Sequence, residues 1–164
     1  MRKQSIREVV RLEPMANKFL RDDIPSPCYV CDEAKLEQNL QLMQYVQNKA
    51  GIDIILALKS FSMWSTFPLV KQYLKGATAS AVWEAKLANY EMGGEVHCYS
   101  PAYKQKDIDQ LLDLVHHLSF NSINQWSQFK DQVIQSSVSA GLRVNPENQE
   151  ADTPLYDPCA PGSR

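Results

Sequence analysis

The feature that most limits the possible folds of this chain is a regular alternation of strand-like and helix-like segments. Short apolar runs are predicted as strands at 52–58, 77–79, 96–99, 118–120 and 141–145. Helical periodicity follows each of the first four strands, and the unit recurs about every 22 residues, which is typical of βα units on a parallel sheet. The pattern therefore predicts an α/β protein with five parallel strands.

The predicted helices lie before the first strand and between the strands. Their expected ranges are 33–49, 63–75, 81–92, 105–116 and 123–136. Gly51, Gly76 and the pair Gly93–Gly94 follow the first three of them, and glycine commonly stands just after the last residue of a helix.

The chain length limits how these units can close. A doubly wound sheet can be complete with five strands, whereas an eight-stranded barrel needs about 250 residues and this chain has 164. The segment 146–164 is rich in Pro, Asn, Asp and Gly, so no helix is expected to cover the fifth strand. Because a bare strand is a liability, we expect the chain to be part of a longer protein.

Composition argues against two classes of partner. The formal net charge is -2 with a pI near 5.9 and no basic stripe, so the chain offers no surface for nucleic acid or anionic membrane. No apolar run is long enough to span a bilayer, and the first eight residues are too polar for a signal peptide. The four cysteines are therefore expected to be reduced thiols in a cytoplasmic protein.

Lys59 is the residue that most suggests chemistry. It follows the strand predicted at 52–58, which is expected to be buried, and the carboxyl end of a parallel strand is where α/β proteins place their sites. Lysine forms Schiff bases when its pKa is lowered. Alternation along a strand puts Lys59 on the face of Ile55 and Ala57, the inner face of a barrel. The competing interpretation is a solvated lysine at a strand end.

The other candidate residues predict no metal site. Cys28 and Cys31 form one Cys-x-x-Cys without a second pair, so buried thiols explain them better than zinc. His97, His116 and His117 show no ligand spacing and are expected to be structural. Gly-rich phosphate-binding motifs are absent from the sequence, which gives nucleotide binding no support.

Several segments, taken in order, resemble pyridoxal-phosphate (PLP) enzymes of the alanine racemase and ornithine decarboxylase fold group. The resemblance is nearest to the carboxynorspermidine (carboxyspermidine) decarboxylases and covers residues 24–164, with 1–23 as an N-terminal extension. The matching segments are Pro27–Val30, Leu56–Ser62, Gly76–Ser80 with Trp83–Glu84, His97–Pro101, Ser119–Ser122, Leu142–Pro146 and Tyr156–Arg164. Ornithine decarboxylase-like members carry Asp at the position compared with Ala77, which favours the carboxy-polyamine branch.

The resemblance implies a fold and a set of residue roles. The fold is the N-terminal part of a PLP-binding (β/α)8 barrel, with about five of eight strands present and a second β-domain missing. Lys59 matches the lysine that carries PLP. Ser80 and Arg143 match cofactor-binding positions, and Glu84 matches a substrate-binding position. We expect Lys59, Ser80 and Arg143 to cluster at the carboxyl edge of the sheet.

The resemblance also implies an activity and partners. The whole enzyme would decarboxylate carboxynorspermidine or carboxyspermidine in polyamine biosynthesis, using PLP, as a homodimer. The 164 residues alone are expected to be inactive and to hold PLP weakly, since the family's ring-stacking His and phosphate loop come later in the chain. The alternatives are a PLP-binding carrier barrel without a reaction and an inactive truncated remnant.

Overall fold

The computed structural model describes residues 27, 29–145, 148, 152–153, 157 and 159. The extension predicted at 1–23, Cys28 and most of the segment 146–164 lie outside these residues. The chain divides into two compact units, Met1–Asp32 and Glu33–Arg164, and the second contains every helix and strand of the described residues.

Five parallel strands form one sheet in the order in which they occur along the chain, as the sequence predicted. Each strand pairs in parallel with the next one. Every connection therefore runs from the carboxyl end of one strand back to the amino-terminal end of the next. The strands are β1 (Leu56–Ala57), β2 (Gly76–Ala79), β3 (Glu95–Tyr99), β4 (His117–Phe120) and β5 (Ser139–Leu142).

Five α-helices precede and connect the strands, and the first and last agree best with the predicted ranges. A 3₁₀ turn at Trp64–Thr66 leads into the second helix, and a π-helical turn at Ala88–Met92 follows the third. None of the described helices is both long and apolar enough to cross a membrane. The helices are α1 (Glu33–Ala50), α2 (Phe67–Val70), α3 (Val82–Leu87), α4 (Gln105–Leu111) and α5 (Ile123–Ile134).

Local chemistry explains the helix boundaries. Gly51, with φ of 65°, follows α1 and donates its N–H to the Gln47 carbonyl at 2.9 Å, which ends the helix as predicted. The helix predicted at 63–75 is α-helical over only four residues. Pro68 cannot donate a hydrogen bond to a preceding turn, so the regular helix begins next to it.

Two strands differ from their predicted ranges, each because of its neighbour. The strand predicted at 52–58 is paired only at Leu56–Ala57, since β2 begins at Gly76 and gives the earlier residues no partner strand. These earlier residues are exposed or half-buried, so the prediction of a buried strand is wrong. The strand predicted at 141–145 is Ser139–Leu142, because β4 turns into α5 after Phe120.

The two faces of the sheet differ in polarity. One face carries small and apolar side chains that are buried against the helices, among them Val96, Cys98, Leu118 and Phe120. The other face, called the inner face below, carries half-buried polar residues. The inner-face residues are Thr78, Glu95, His97, Tyr99, His117 and Ser119.

Candidate functional site

Lys59 lies in a tight turn at the carboxyl end of β1. The turn covers residues 58–60 and is closed by hydrogen bonds to the Ala57 carbonyl from the Ser60 N–H at 3.0 Å and from the Ser60 hydroxyl at 2.8 Å. Leu58 is buried in the helix-side core, whereas Lys59 is exposed. The turn therefore presents a lysine amine to solvent directly after a parallel strand.

Ser80 and Glu84 form the connection between β2 and α3. Ser80 is exposed and follows the last residue of β2, and its N–H donates to Glu84 Oε2 at 2.7 Å. Glu84 is half-buried in the first turn of α3, where a carboxylate is favoured by the helix dipole. One oxygen of Glu84 is thus committed to holding this turn together.

Arg143 follows β5 and is joined to the ends of β3 and β4. Its N–H donates to the Phe120 carbonyl at 2.8 Å, and its Nη1 donates to Asn121 Oδ1 at 3.3 Å. The Tyr99 hydroxyl donates to the same Asn121 oxygen at 2.8 Å. Asn121 in turn donates its N–H to Gln125 Oε1 at 2.9 Å, which ties this group to α5.

The Tyr99–Asn121–Arg143 group is a feature that sequence reasoning missed. Tyr99 and Asn121 both lie in segments that carry the family resemblance, at or just after a strand end. Their contact depends on the registers of β3, β4 and β5. The signal available in the sequence was the position of Tyr99 and Asn121 at or just after a strand end.

The predicted site residues share one edge of the sheet but not one point. Lys59, Ser80 and Arg143 each follow the carboxyl end of a strand in a fully parallel sheet, so all three lie at the same edge, as predicted. Lys59 and Ser80 follow adjacent strands. Arg143 follows the fifth strand, and four strand spacings of about 4.8 Å give about 19 Å along the sheet from β1, so the three residues do not form the single cluster that was predicted.

Ala77, the position compared with a family aspartate, faces the helices and not the inner face. Its side chain is fully buried in the core, whereas Thr78 is half-buried on the inner face. Alanine at this position therefore contributes to the helix-side core and places no charge on the inner face.

Toward the amino-terminal ends of the strands, the inner face brings together two histidines that sequence reasoning treated as unrelated. The rings of His97 and His117 stack with centroids 4.2 Å apart, because these residues are register partners on β3 and β4. Glu95 Oε2 lies 3.5 Å from His97 Nε2 and 4.0 Å from His117 Nε2. The spacing of these residues in the sequence did not indicate that two histidines and a carboxylate would lie so close together. His116 lies apart, with its Nδ1 accepting the Val96 N–H.

Charges around this group shift its titration. Hydrogen bonds from Lys75, and then from His97, lower the pKa of Glu95. Burial and the neighbouring charge of His117 lower the pKa of His97, while Glu95 acts in the opposite direction. Lys75 Nζ is 2.9 Å from Asp53 Oδ2 and 3.2 Å from Glu95 Oε1, so it links this group to the segment before β1.

Cys98 is a thiol in the core and not at the site. It is 1% exposed, and burial raises its pKa to about 11. Tyr103 lies beside it, and burial also raises the pKa of that hydroxyl, which donates to the Ser119 carbonyl at 3.1 Å. These groups remain protonated near neutral pH and serve packing. Cys31 and Cys159 are also free thiols.

Comparisons with known proteins agree with the resemblance seen in the sequence. Carboxyaminopropylagmatine decarboxylase of Synechocystis sp. is 44% identical over 141 residues, covering 86% of this chain and 36% of that enzyme. Carboxynorspermidine/carboxyspermidine decarboxylase of Campylobacter jejuni is 41% identical over 143 residues, covering 87% of this chain and 37% of that enzyme. No family model matches the sequence.

A solved structure extends this similarity to the fold. The crystal structure of carboxynorspermidine decarboxylase complexed with norspermidine from Campylobacter jejuni superposes with a TM-score of 0.74 at 39% identity. The match covers 79% of this chain and 35% of that one. The five strands therefore correspond to the N-terminal part of a barrel enzyme, which confirms the predicted fold class and resemblance. The chain spans about a third of the length of these relatives.

Proposed function

We propose that this chain carries the lysine-bearing part of a PLP-dependent enzyme that decarboxylates carboxynorspermidine or carboxyspermidine in polyamine biosynthesis. The observation that supports this most strongly is Lys59, an exposed amine directly after a parallel strand, within a segment similar to enzymes named for that reaction. The carboxyl edge of parallel strands is where barrel enzymes carry out chemistry.

The side chains at this edge fit PLP by their chemistry. Lys59 supplies a primary amine for the aldehyde, and Arg143 and Ser80 supply a cation and a hydroxyl for an anionic ligand. When bound, PLP withdraws electrons from the carbon that loses CO₂. Arg143 is held by Asn121, which limits the rotation of its guanidinium and so reduces the entropy lost when an anion binds.

Glu84 is proposed to favour a cationic substrate. Polyamine substrates carry several ammonium groups, and a carboxylate near the carboxyl edge lowers the energy of such a cation. The hydrogen bond from the Ser80 N–H fixes Glu84 Oε2, so a substrate amine would meet an oriented carboxylate. In this proposal Glu84 contributes to binding and Lys59 to chemistry.

The relatives offer a second substrate of the same class. The Synechocystis enzyme is named for carboxyaminopropylagmatine, which ends in a guanidinium and not an amine, and its identity to this chain is slightly higher. The homodimer and the cytoplasmic location implied by the resemblance also remain predictions. A carrier that binds PLP without decarboxylation is distinguished by the experiment below.

The test uses the longest reading frame that contains this chain, together with the 164-residue chain itself. Each is incubated with PLP and reduced with borohydride, and the modified lysine is located by peptide mass spectrometry. We expect Lys59 to be modified in the long form, and Lys59→Ala to remove that label and CO₂ release from carboxynorspermidine. Lys71→Ala, at an exposed lysine after α2, should change neither.

Each outcome has a defined meaning. CO₂ release that survives in Lys59→Ala would refute the assignment of the reaction to this residue. Labelling of Lys59 without release from carboxynorspermidine, carboxyspermidine or carboxyaminopropylagmatine would identify a carrier instead. The 164-residue chain alone should release no CO₂, because an amine in open solvent has nothing to exclude water from the site.

A further inference from the structure

Three side chains on the inner face bring ligand-type atoms close together, near the amino-terminal ends of β3 and β4. These atoms are Glu95 Oε2, His97 Nε2 and His117 Nε2, and all lie within 4.8 Å of one another. We propose that Glu95, His97 and His117, the Glu-His-His cluster, bind a divalent transition-metal ion, and that Zn²⁺ is the ion they fit best.

The distances are close to those that a zinc ion imposes. Tetrahedral Zn²⁺ with bonds of about 2.0–2.2 Å requires ligand atoms about 3.3–3.6 Å apart. The separation of 3.5 Å between Glu95 Oε2 and His97 Nε2 already meets this requirement. The separation of 4.0 Å from Glu95 Oε2 to His117 Nε2 needs to shorten by about half an ångström.

Binding requires one defined movement of the rings. The planes of His97 and His117 lie 22° from parallel, so their nitrogen lone pairs lie in nearly parallel planes about one stacking distance apart. For both lone pairs to meet one ion, the rings must rotate about their side-chain bonds and lose their stacking. Both residues are only half-buried, which leaves room for this rotation.

The backbone holds the three ligands without ordering any loop. His97 and His117 are register partners on adjacent strands, and Glu95 precedes His97 by two residues, so all three lie on one face. The position of the cluster is therefore fixed by the ladder, and little chain entropy is lost on binding. Three protein ligands leave the fourth zinc position open for water or another ligand.

The charges and hydrogen bonds around the cluster favour a cation here. Lys75 donates to Glu95 Oε1 at 3.2 Å, which orients the carboxylate and leaves Oε2 directed at the histidines. Asp53 pairs with the same ammonium at 2.9 Å, so two carboxylates face one lysine. With neutral histidines the surroundings carry a net negative charge, which a divalent cation would offset.

The competing explanation is an ion-pair cluster around Lys75 that binds no metal. To separate the two, the chain is prepared with Cys28→Ser and Cys31→Ser, so that this thiol pair does not compete for zinc, and is stripped of metal with a chelator. Zn²⁺ binding is measured by equilibrium dialysis, and Co²⁺ is added as a spectroscopic probe. We expect one ion per chain and the visible absorption of tetrahedral Co²⁺.

The variants are His97→Gln, His117→Gln and Glu95→Gln, with His116→Gln as the matched control on the adjacent residue. Each of the three should weaken Zn²⁺ binding about a hundredfold, since each removes one of three protein ligands, and Lys75→Ala should weaken it about tenfold. His116→Gln should change it less than about twofold. Circular dichroism without metal verifies that each variant is folded.

The proposal does not depend on the proposed decarboxylation. Loss of one ion per chain in His97→Gln and His117→Gln, but not in His116→Gln, would establish the site even if Lys59 never bound PLP. Failure of the otherwise unaltered double-serine chain to bind Zn²⁺ or Co²⁺ saturably would overturn the proposal. Binding that is equally strong in His97→Gln and His117→Gln would overturn it as well.

Discussion

Replacing Gly76 with alanine should be among the most damaging single-methyl changes in the sheet. Gly76 is the first residue of β2 and is the register partner of Glu95, the first residue of β3. An added Cβ at Gly76 would lie 1.8 Å from the Glu95 carbonyl oxygen and 2.8 Å from the Glu95 nitrogen. Both are backbone atoms, so no side-chain rotation relieves the overlap.

The cost follows from the shift that the methyl group requires. Ordinary contact begins near 3.4 Å, so the two strands must separate by well over 1 Å at this point. Such a shift adds overpacking strain of about 1–3 kcal/mol. It also breaks backbone hydrogen bonds at the start of the β2–β3 ladder, including that from the Glu95 N–H to the Lys75 carbonyl, each worth about 1 kcal/mol. We expect a total loss of about 3–5 kcal/mol in the free energy of unfolding.

Gly51→Ala is the matched control. Gly51 also has no side chain to lose, but an added Cβ there meets nothing within 4 Å. Its only cost is the positive φ of 65°, about 1–2 kcal/mol for an L-residue. Urea unfolding followed by tryptophan fluorescence measures both variants against the unaltered chain. A loss in Gly76→Ala no larger than that in Gly51→Ala would refute the close-approach argument.

The same substitution has a functional consequence. Displacing the Glu95 backbone changes the position of its carboxylate relative to His97 and His117, so Gly76→Ala should also weaken metal binding at the Glu-His-His cluster. Gly51→Ala should leave that binding unchanged.

Two further predictions concern the helix-side core. Phe120→Ala should lower the free energy of unfolding by about 3–5 kcal/mol in urea titrations, since this ring is fully buried, whereas Ile134→Ala, at a side chain that is 69% exposed, should cost little. A small effect of Phe120→Ala would contradict the assigned core. Cys98, with its pKa raised by burial from 9.0 to about 11, should resist a thiol reagent at pH 8 until the chain unfolds. Because the unfolded thiol ionises first, stability should fall between about pH 9 and 11, and Cys98→Ala should reduce that fall; equal slopes would refute the cause.

The sequence predicted the order of the elements well because that order depends on local signals. Gly51 ends α1 through its own positive φ, and the strands at 95–99 and 117–120 begin within one residue of their predicted starts. The strand bounds at 52–58 and 141–145 failed because the length of a ladder depends on its partner. Ile52 and Asp53 have no partner strand, because the pairing of β1 with β2 begins only at Leu56.

Within the candidate site, the sequence predicted only the positions of residues that directly follow a single strand. Lys59, Ser80 and Arg143 each follow a strand directly, so their common edge follows from parallel pairing alone. The Asn121 contact to Arg143 and the stacking of His97 on His117 each join residues about 20 positions apart. These contacts depend on how adjacent strands align, and a shift of one residue in register would have turned His117 to the helix side.

Both proposed sites involve the polar inner face of the sheet, but they lie at opposite ends of its strands. Barrel interiors are usually filled by branched apolar side chains, whereas this face carries Thr78, His97, Tyr99, His117 and Ser119. Its carboxyl edge holds Lys59, and the Glu-His-His cluster lies toward the amino-terminal ends of the same strands. Lys59→Ala should therefore abolish PLP labelling and leave Zn²⁺ affinity unchanged, while His117→Gln should do the reverse. If either variant abolished both properties in a chain that remains folded, the two sites would have to be one.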